Sequence, residues 1–587
     1  MKHPARMQFV ALVLVRFDSG TLELLAQLTQ LALNLPHMSR GVYLMTYSDR
    51  YHRYRRFIGP IGSQFPQWEP LPRKIQRRNS AGAFSFPVDD WQRLSRFLLL
   101  GTETNTYYAR EPQFTAENAQ SVIACIRADG SRALDKIVEI SVSGRAPSNS
   151  PAIFALALTF GYGNEQTRRA SEAALRAVCR TGSHLLLFAQ FVEGVRGWGR
   201  VLRRAVANWY DQSSATFVAL QAIKYQRRGS WSHRDLLRMA HPNAASDAHA
   251  ILYHWIVKGW PDVGSEPHPL GAVRLVWAYE RAKKANRAEL LSLIHMYRLP
   301  REAIPTKWLT DEAVWSALLP HSGLTAILRN LGNLTRLGVL NEDRASINTT
   351  LDICRRLRDQ DALERERISP LSIFVALTTY AQGHGVRGAG EWKPIPRIID
   401  ALNDAFHKAF QQVKPTMKRI VLAIDVSGSM SDGEIAGMPG MPPIAAAAAM
   451  AMLTAATEPA YEIVGFGHDM QRLDITPHTR IERIIEKLGN QRFSATDCAL
   501  PILWALEHEV RADAFIIYTD SETWFGPIHP AEALKVYRQQ MNIPAKLVVV
   551  AMVSNGFSIA DPEDGGMMDV VGFDTAVPTL ITDFIRR

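Results

Sequence analysis

Short amphipathic helices are the main pattern of hydrophobic and polar positions between residues 79 and 415. Segments such as AENAQSVIACIRADG, TRRASEAALRAVCR and RVLRRAVANWYDQ repeat apolar residues at helical spacing and are separated by Gly, Pro or Asn. A long series of such helices, without strand-like alternation, favours stacked antiparallel pairs over a single bundle. No clean repeat period is visible, so the prediction of a helical-repeat domain depends on the succession of helices alone.

The pattern changes to alternating strands and helices in residues 416–587. Continuous apolar runs that end in polar loops, namely RIVLAID, YEIVGFG, DAFIIYTDS and AKLVVVAMVS, predict buried strands. Helical stretches such as IAAAAAMAMLTAA and CALPILWALEHEV lie between them. This alternation predicts a doubly wound (Rossmann-like) α/β domain with a parallel sheet, in which ligands bind at the carboxyl ends of the strands.

Residues 1–78 form an extension to which the sequence assigns no function. The segment TLELLAQLTQLALNLP has leucines at helical spacing, and a basic, aromatic stretch, YSDRYHRYRRF, follows it. Tyr and Arg together can stack on bases and pair with phosphates. An extension without defined structure is at least as good an interpretation.

Charge is distributed unevenly between the two predicted domains. The 587 residues carry a net charge of +10, yet residues 416–587 contain 13 basic and 22 acidic residues and the first 415 contain 54 and 35. The net charge is therefore +19 for the first 415 residues and −9 for the α/β domain. A basic helical domain predicts a polyanionic ligand, although charge alone does not distinguish nucleic acid from an anionic membrane surface or from simple solubility.

Length, cysteines and hydropathy place further limits. The length suggests two to four domains. The four cysteines lie far apart without a CxxC pair, which argues against a zinc knuckle or disulfide framework and fits a reducing compartment. No segment reaches the ~18 apolar residues that a membrane span requires. We therefore expect a cytoplasmic protein that is not membrane-bound.

A metal site is predicted at the strand ends of the α/β domain. Asp425, Ser427 and Ser429 form a DVSGS loop directly after the strand RIVLAI. Thr496 and Asp520, the latter at the end of FIIYTD, lie at two later positions where they can complete an oxygen shell. Hard oxygen ligands without Cys or His favour Mg²⁺ over zinc. An isolated DxSxS loop is more often a simple turn, so the prediction depends on the strand context and both distal residues.

Catalytic motifs are missing, and we expect no enzymatic activity. The patterns GxSxG, GxxxxGK[ST] and HExxH do not occur in the sequence. A nuclease that uses Asp425 and Asp520 with Mg²⁺ is the nearest alternative. Two-metal nucleases need several clustered carboxylates, whereas Ser and Thr hydroxyls fill most of the ligand positions here.

Clusters of basic residues in the helical domain are the candidate contacts with a polyanionic ligand. In TRRASEAALRAVCRTGSH, Arg169, Arg176 and Arg180 recur at spacings of seven and four, and His184 follows. Arg binds phosphate with a planar fork and can also stack on bases. The other candidates are Arg200, Arg203, Arg204, Lys224, Arg227, Arg228, His233, Arg234, His384 and Arg387. The alternatives are an exposed charged helix face for the arginines, a structural role for His184, and a glycine hinge at GHGVRG; Trp231 is favoured as a core residue.

Long stretches of the chain resemble the Ro ribonucleoprotein family, whose members combine a TROVE module with a von Willebrand A domain. They include FSFPVDDWQRLSRFLLLGTETNTYY, CRTGSHLLLFAQF, KYQRRGSWSHRDLLRMAHP, GLTAILRNLGNLT, TYAQGHGVRGAGEWKP, IDVSGSM and YTDSETW, from residue 79 to the end. The residues at Asp425, Ser427, Ser429, Thr496 and Asp520 resemble the metal-ion-dependent adhesion site of von Willebrand A domains. The resemblance covers both predicted domains but not the extension, and it is closest to bacterial Ro proteins.

The resemblance implies a fold and a function. The fold is a ring of HEAT-like helical repeats, residues 79–415, that is closed by the A domain, residues 416–587. Y-type noncoding RNA would bind the outer basic face, where His184 matches a position that the family uses, and single-stranded 3′ ends of misfolded RNA would enter the central hole. A monomer working with a 3′–5′ exoribonuclease such as polynucleotide phosphorylase is expected. The rival interpretation is a protein-interaction scaffold that binds partners through the metal site.

Overall fold

The structure is a computed structural model of the 587-residue chain. It describes residues Tyr54, Phe57, 65–101, Phe114, Ala116, 119–146, 148–260, 270–343, 347–366, Ile368, 370–385, 390–408, 414–432, 442–473, 475–476, Thr479, Arg483, 496–521, Thr523, 526–552, 556–572 and 576–587. Most of the extension, residues 1–53, and the candidate Arg387 lie outside the described residues.

A series of helices occupies the described residues between 90 and 408. Its members are α1 (Asp90–Leu100), α2 (Gln120–Ala128), α3 (Gly130–Ser143), α4 (Ser150–Tyr162), α5 (Glu165–Val178), α6 (Gly182–Val195), α7 (Arg200–Asp211), α8 (Ala215–Lys224), α9 (His233–Ala240), α10 (Asp247–Lys258), α11 (Gly271–Ala282), α12 (Arg287–Tyr297), α13 (Glu312–Leu318), α14 (Leu324–Arg336), α15 (Ile347–Arg358), α16 (Gln360–Arg365), α17 (Pro370–Ala381) and α18 (Pro396–Lys408). A short antiparallel hairpin, β3 (Arg227–Arg228) and β4 (Trp231–Ser232), separates α8 from α9. The prediction of a mainly helical domain is confirmed.

Side-chain caps set where the central helices begin. The Asn164 side chain accepts a hydrogen bond from the Thr167 amide at the start of α5, and Thr181 does the same for His184 at the start of α6. Ser232 and Asp235 form a capping box at the start of α9. Each cap supplies an acceptor for an amide that has no partner within the helix, so the sequence defines these boundaries locally.

The helices stack in two layers. Helix α5 packs against α3 and α7, and α7 packs against α9, while α4 packs against α6 in the second layer. Phe160 of α4 and Phe188 of α6 are both nearly fully buried, with ring centroids 5.6 Å apart. Burial of one such side chain contributes about 1.5–3 kcal/mol, so these contacts stabilise the packing of α4 against α6. Contacts between alternate helices are typical of stacked helical pairs.

The described residues between 414 and 587 form an α/β domain with a six-stranded sheet. Its sheet strands are β5 (Arg419–Asp425), β6 (Ala460–Phe466), β7 (Met470–Arg472), β8 (Ala514–Thr519), β9 (Lys546–Ala551) and β11 (Met567–Val571), in the order β11-β9-β8-β5-β6-β7. Its helices are α19 (Gly428–Asp432), α20 (Pro443–Thr457), α21 (Leu500–Glu507), α22 (Pro530–Met541) and α23 (Val577–Arg586). The central strands β5, β8 and β9 are buried almost throughout, as expected for a doubly wound sheet.

One edge of the sheet differs from the predicted all-parallel arrangement. Strand β7 pairs antiparallel with β6, whereas the other neighbouring pairs are parallel. Only three residues separate β6 from β7, which is too short for the crossover that a parallel connection requires. The sheet is therefore mixed.

An N-terminal strap, residues 65–88, lies across the α/β domain. Its strands β1 (Arg77–Arg78) and β2 (Phe84–Pro87) form a three-stranded antiparallel sheet with β10 (Phe557–Ser558) of the α/β domain. The fully buried Gln67 side chain donates to the Asp497 carboxylate at 2.8 Å and to the Ile528 carbonyl at 2.9 Å. The end of the extension is therefore part of the folded structure, a role that the sequence did not indicate.

The helical domain contacts the α/β domain through its first helix. Helix α1 follows the strap directly and packs against β11. The last helix of the series, α18, precedes β5 in the chain.

Candidate nucleic-acid interface and metal centre

A basic group that we call the His184 cluster consists of Arg180, Ser183, His184 and Arg228. The Arg228 guanidinium donates to the Ser183 hydroxyl at 2.6 Å, which ties the β3–β4 hairpin to the start of α6. Arg180, just after α5, donates to the Ser141 hydroxyl at 2.9 Å and to the Ala177 carbonyl at 3.1 Å. The cluster thus combines three separate elements near the C-terminal end of α5.

His184 is electrically neutral within this cluster at physiological pH. Its pKa is lowered to about 4, first by burial and then by the positive charges of Arg180 and Arg228. The Nδ1 atom lies 3.3 Å from the Asn149 side-chain amide, which holds the ring in place. The imidazole can therefore form a hydrogen bond with a ligand, while the two arginines supply the positive charge.

Four other candidates lie on α5, on the hairpin and on the two helices that flank the hairpin, and three of them are exposed. Arg176 is exposed in the last turn of α5, and Arg227 and Arg234 are exposed on the hairpin and on α9. Lys224 is half-buried, with its ammonium 5.8 Å from the centre of the Tyr225 ring. Their side chains remain available to a ligand.

A second basic group, the arginine pocket, lies at the opposite end of α5. Its arginines are Arg168, Arg169, Arg196, Arg200 and Arg204, from α5, the end of α6 and the start of α7. Arg204 binds Glu172 through two hydrogen bonds of 2.5 Å, and Arg169 pairs with Glu165. Arg168 lies about 15 Å along the axis of α5 from the last helical residue, Val178, given a rise of about 1.5 Å per residue, and Arg180 lies two residues beyond that end. The predicted line of arginines is therefore divided into two groups.

Two arginines of the pocket were missed from the sequence. Arg168 directly precedes Arg169, and Arg196 lies in the segment VRGWGR, only four residues before Arg200. Both lie close in sequence to predicted contacts, Arg169 and Arg200, and this proximity is the sequence feature that could have identified them. Arg203 is exposed on α7 but does not line the pocket.

The structure corrects the prediction for His233, which is not a surface residue. Its side chain is 3% exposed, and its Nδ1 atom lies 2.6 Å from the buried Tyr210 hydroxyl. A residue at the start of an amphipathic helix can face either the core or the solvent, and here the His233 ring packs beside Trp209 and Tyr210. Trp231 is also buried, as expected, with its indole N–H bonded to Glu193 at 2.9 Å.

His384 belongs to a different region of the helical series. It is exposed in the turn after α17, and it pairs through its backbone with Glu391. Nothing joins it to the His184 cluster or to the arginine pocket among the contacts that the described residues make.

Four of the five predicted metal ligands lie at the carboxyl edge of the sheet, namely Asp425, Ser427, Ser429 and Asp520. Asp425 ends β5, and Thr519 and Asp520 stand at the end of the adjacent parallel strand β8. The Asp425 carboxylate accepts hydrogen bonds from the Ser427 amide at 2.9 Å and from the Thr519 hydroxyl at 2.8 Å. Thr519 is a partner that the sequence analysis missed, although it directly precedes Asp520.

Burial and charge make this edge suitable for a cation. The side chains of Asp425, Thr496 and Asp520 are at most 3% exposed, and the Ser427 and Ser429 hydroxyls lie 3.0 Å apart. The pKa of Asp425 is raised to about 7, mainly by burial and secondly by the negative charge of Asp520. A divalent cation would favour the ionised form of both carboxylates.

The donor set restricts which metal the site could hold. The described residues contain no group of three or more His, Cys, Asp or Glu side chains with the geometry of a metal site. A cation here therefore depends on the Ser and Thr hydroxyls in addition to two carboxylates. Such an all-oxygen set fits Mg²⁺, which usually retains several water ligands.

The strap contacts the loops that carry these candidate ligands. Gln67 bonds to Asp497, the residue after Thr496, and accepts a hydrogen bond from the Thr523 hydroxyl. The Asn79 side chain donates to the Thr523 carbonyl at 2.6 Å. Residues from the N-terminal strap thus help to position the loops after β8 and around Thr496.

Comparisons with known proteins match both domains of the chain. A model of the TROVE domain matches residues 77–261 and 298–379, and a model of the Ro60 vWA domain matches residues 419–585. The RNA-binding protein RO60 of Deinococcus radiodurans is 42% identical over 535 residues, which cover 90% of this chain and 98% of that protein. The RNA-binding protein RO60 of Caenorhabditis elegans is 33% identical over 598 residues, covering 88% and 92%.

A solved structure is also similar. The crystal structure of the Deinococcus radiodurans RO (RSR) protein has a TM-score of 0.65 with this chain, at 41% identity, and covers 85% of this chain and 99% of that one.

Among the residues that the structure describes, no helix combines the length and apolar character that membrane crossing requires.

Proposed function

The chain belongs to the Ro protein family, and from this premise we propose that it binds RNA through the basic surfaces of its helical domain. Small structured RNA of the Y type binds at the His184 cluster, and single-stranded 3′ ends of misfolded RNA bind elsewhere on the helical series. The proposal is supported most directly by the His184 cluster, where Arg180, Arg228 and His184 come together from three elements.

The chemistry of the cluster suits a structured RNA backbone. Guanidinium groups form paired hydrogen bonds with phosphate, and a neutral imidazole can bond to a phosphate oxygen or a 2′-hydroxyl. None of these groups reads a base edge in a duplex, so recognition depends on shape and backbone. The protein would retain RNA rather than cleave it and would present its 3′ end to an exoribonuclease such as polynucleotide phosphorylase.

The A domain has a separate proposed role. Asp425, Ser427, Ser429, Thr496 and Asp520 hold Mg²⁺, directly or through water, and leave some positions of the metal shell to an outside ligand. A carboxylate from an acidic partner protein can fill such a position, which makes the A domain a candidate protein-binding module beside the RNA-binding helices. The support is the buried pair of Asp425 and Asp520 with hydroxyl groups around it.

Crosslinking and sequencing of bound RNA tests the RNA proposal. The wild-type chain, the double variant Arg180→Ala/His184→Ala and the control Arg329→Ala would be purified without nuclease from the same cells. Arg329 is exposed on α14, outside both basic groups. We expect structured RNA with the wild type and the control, and at least a tenfold loss with the double variant.

Two outcomes would contradict the proposal. Equal RNA recovery from all three proteins would remove the His184 cluster as the binding site. Wild-type protein that purifies with the ultraviolet absorbance ratio of pure protein would instead favour a protein-interaction scaffold.

A further inference from the structure

An open pocket of about 650 Å³ lies where the start of α5, the end of α6 and the start of α7 meet. Five of its lining residues are arginines, and Glu165 is its one acidic lining residue among those that the structure describes. Phe160, Val192, Val201 and Leu202 supply an apolar wall. A concave site with this excess of positive charge attracts a compact, highly charged anion.

Two of the arginines are held rigidly by the backbone. The Arg168 guanidinium donates to the Phe160 carbonyl at 3.1 Å and to the Gly161 carbonyl at 3.3 Å, and Arg196 donates to the same Phe160 carbonyl at 2.9 Å. Two cations are therefore fixed side by side before any ligand arrives. The pKa of Arg168 is lowered by burial and then by the charge of Arg196, so an anion between them would relieve an existing repulsion.

The first turn of α7 borders the same pocket. Its N-cap is Gly199, which has no side chain to accept hydrogen bonds from the first amides of the helix. Unpaired amides at a helix N-terminus are favourable donors to phosphate oxygens. The Arg200 side chain is exposed in this turn, and its guanidinium group forms no polar contact with another described residue. Amide donors and an exposed guanidinium thus supplement the two fixed arginines.

The charge of the pocket indicates the class of ligand. An internal RNA phosphodiester carries one negative charge and is usually bound on an open surface, whereas a terminal polyphosphate concentrates several charges at one point. Within the described residues, only Arg169 and Arg204 of the five arginines are paired with carboxylates. We propose that the arginine pocket binds a terminal polyphosphate group, either the 5′-triphosphate of an RNA or that of a free nucleoside triphosphate.

The RNA source rests on the function proposed above, whereas the free-nucleotide source does not. About 15 Å of α5 separates Arg168 of the pocket from the end of the helix that precedes Arg180, so one RNA can contact both groups. The two groups would then have different roles: the cluster would hold the body of the RNA, and the pocket would recognise its 5′ end.

The test compares short, unstructured RNA that carries either a 5′-triphosphate or a 5′-hydroxyl, with the fluorophore at the 3′ end. We expect the wild-type protein to bind the triphosphate form at least tenfold more tightly, and inorganic tripolyphosphate to abolish the difference. Arg200→Glu should remove most of this preference. The substitution is compatible with folding, since Arg200 is exposed and an acidic residue is favourable in the first turn of a helix.

A control variant and a second pocket variant complete the design. Arg329→Glu reverses the same charge on an exposed position of α14 and should keep the full preference. Arg168→Gln, checked by thermal unfolding, should lose the preference as Arg200→Glu does. Titration calorimetry with ATP and with tripolyphosphate shows whether a free polyphosphate is also a ligand. If ATP and tripolyphosphate bind the wild type but not Arg200→Glu, and RNA affinity does not depend on the 5′ end, the pocket is assigned to free nucleotides.

The proposal is overturned if tripolyphosphate gives no binding heat and RNA affinity is independent of the 5′ end. That result is distinct from failure of the RNA proposal itself. Structured RNA with a 5′-hydroxyl, measured in the same assay, reports on the His184 cluster alone. If that RNA does not bind but tripolyphosphate does, the RNA proposal fails and the pocket assignment stands.

Discussion

The Arg96 guanidinium and the Asp569 carboxylate form an ion pair of 2.6 Å that joins the first helix of the helical domain to the last strand of the A domain. The two side chains are only 1% and 8% exposed. Arg96 also donates to the Phe557 carbonyl at 3.0 Å, and Ser558 bonds to the other Asp569 oxygen. The junction between α1 and the A domain is therefore a buried, directional polar contact.

Removing one partner of this pair should destabilise the protein strongly. Asp569→Ala leaves the buried Arg96 charge without its counter-ion, and we expect a loss of about 3–5 kcal/mol in the free energy of unfolding. Chemical denaturation measures it. The control Asp583→Ala affects an exposed pair with Arg586, at 3.9 Å, and should cost less than about 1 kcal/mol. Equal effects of the two variants would mean that the Arg96–Asp569 contact does not join the domains.

RNA binding should not require a charged His184. Since its folded pKa is about 4, below the ordinary value of 6.5, the ring stays neutral from pH 6 to pH 8. We therefore expect the protonation of His184 to change RNA affinity by less than about twofold over this pH range. His184→Gln, which retains a neutral hydrogen-bonding group, should bind RNA far better than His184→Ala. A steep loss of affinity between pH 6 and pH 8 that disappears in His184→Gln would contradict this.

The same pKa has a consequence for stability. A lowered histidine pKa favours the neutral ring in the folded state, and His233 is shifted in the same way to about 4. Above pH 6.5 these rings are neutral in both the folded and the unfolded chain. As the pH falls from 6.5 towards 4, the unfolded chain binds protons first, so the free energy of unfolding decreases. Denaturation curves of His233→Phe over this range should show a weaker pH dependence than those of the wild type. An identical pH dependence would show that His233 is not the buried neutral residue seen here.

The salt dependence of RNA binding should report individual phosphate contacts. Each cation that neutralises a phosphate contributes about 0.7–0.9 to the slope of log affinity against log salt concentration. We expect Arg180→Gln and Arg228→Gln each to reduce the magnitude of that slope by nearly the contribution of one phosphate contact. The control Arg329→Gln should leave the slope unchanged. The measurement is a fluorescence titration at several salt concentrations. Variants with weaker binding but an unaltered slope would indicate that these arginines act only on the fold.

Mg²⁺ should stabilise the protein through the A domain. At a concentration ten times its dissociation constant, a ligand raises the free energy of unfolding by about 1.4 kcal/mol. A rise in melting temperature with Mg²⁺ is expected for the wild type and for the control Asp583→Asn, but not for Asp425→Ala. Because protons compete with the cation for Asp425, whose pKa is about 7, the effect should be larger at pH 8 than at pH 6. A shift that persists in Asp425→Ala would place the metal elsewhere.

Local signals were sufficient for much of the fold and for some of the candidate site. Helical periodicity and side-chain caps depend on residues within a few positions of each other, so the helices around Asn164 and Thr181 could be predicted. The edge with Asp425 and Asp520 could also be predicted, because adjacent parallel strands bring their carboxyl ends together. The antiparallel edge strand β7 was not predicted, because a strand of three residues contains too few positions to show a pattern.

The sequence by itself determined the types and order of the elements, the charge contrast between the two domains, and the residues at the strand ends. Only the tertiary structure decided that Arg180 and Arg168 belong to different basic groups, that His233 faces the core, and that Gln67 bonds to Asp497 across 430 positions of the chain. The physical reason is that periodicity records which face of an element is apolar. It contains no information on which distant element covers that face, and the grouping of polar side chains depends on that packing.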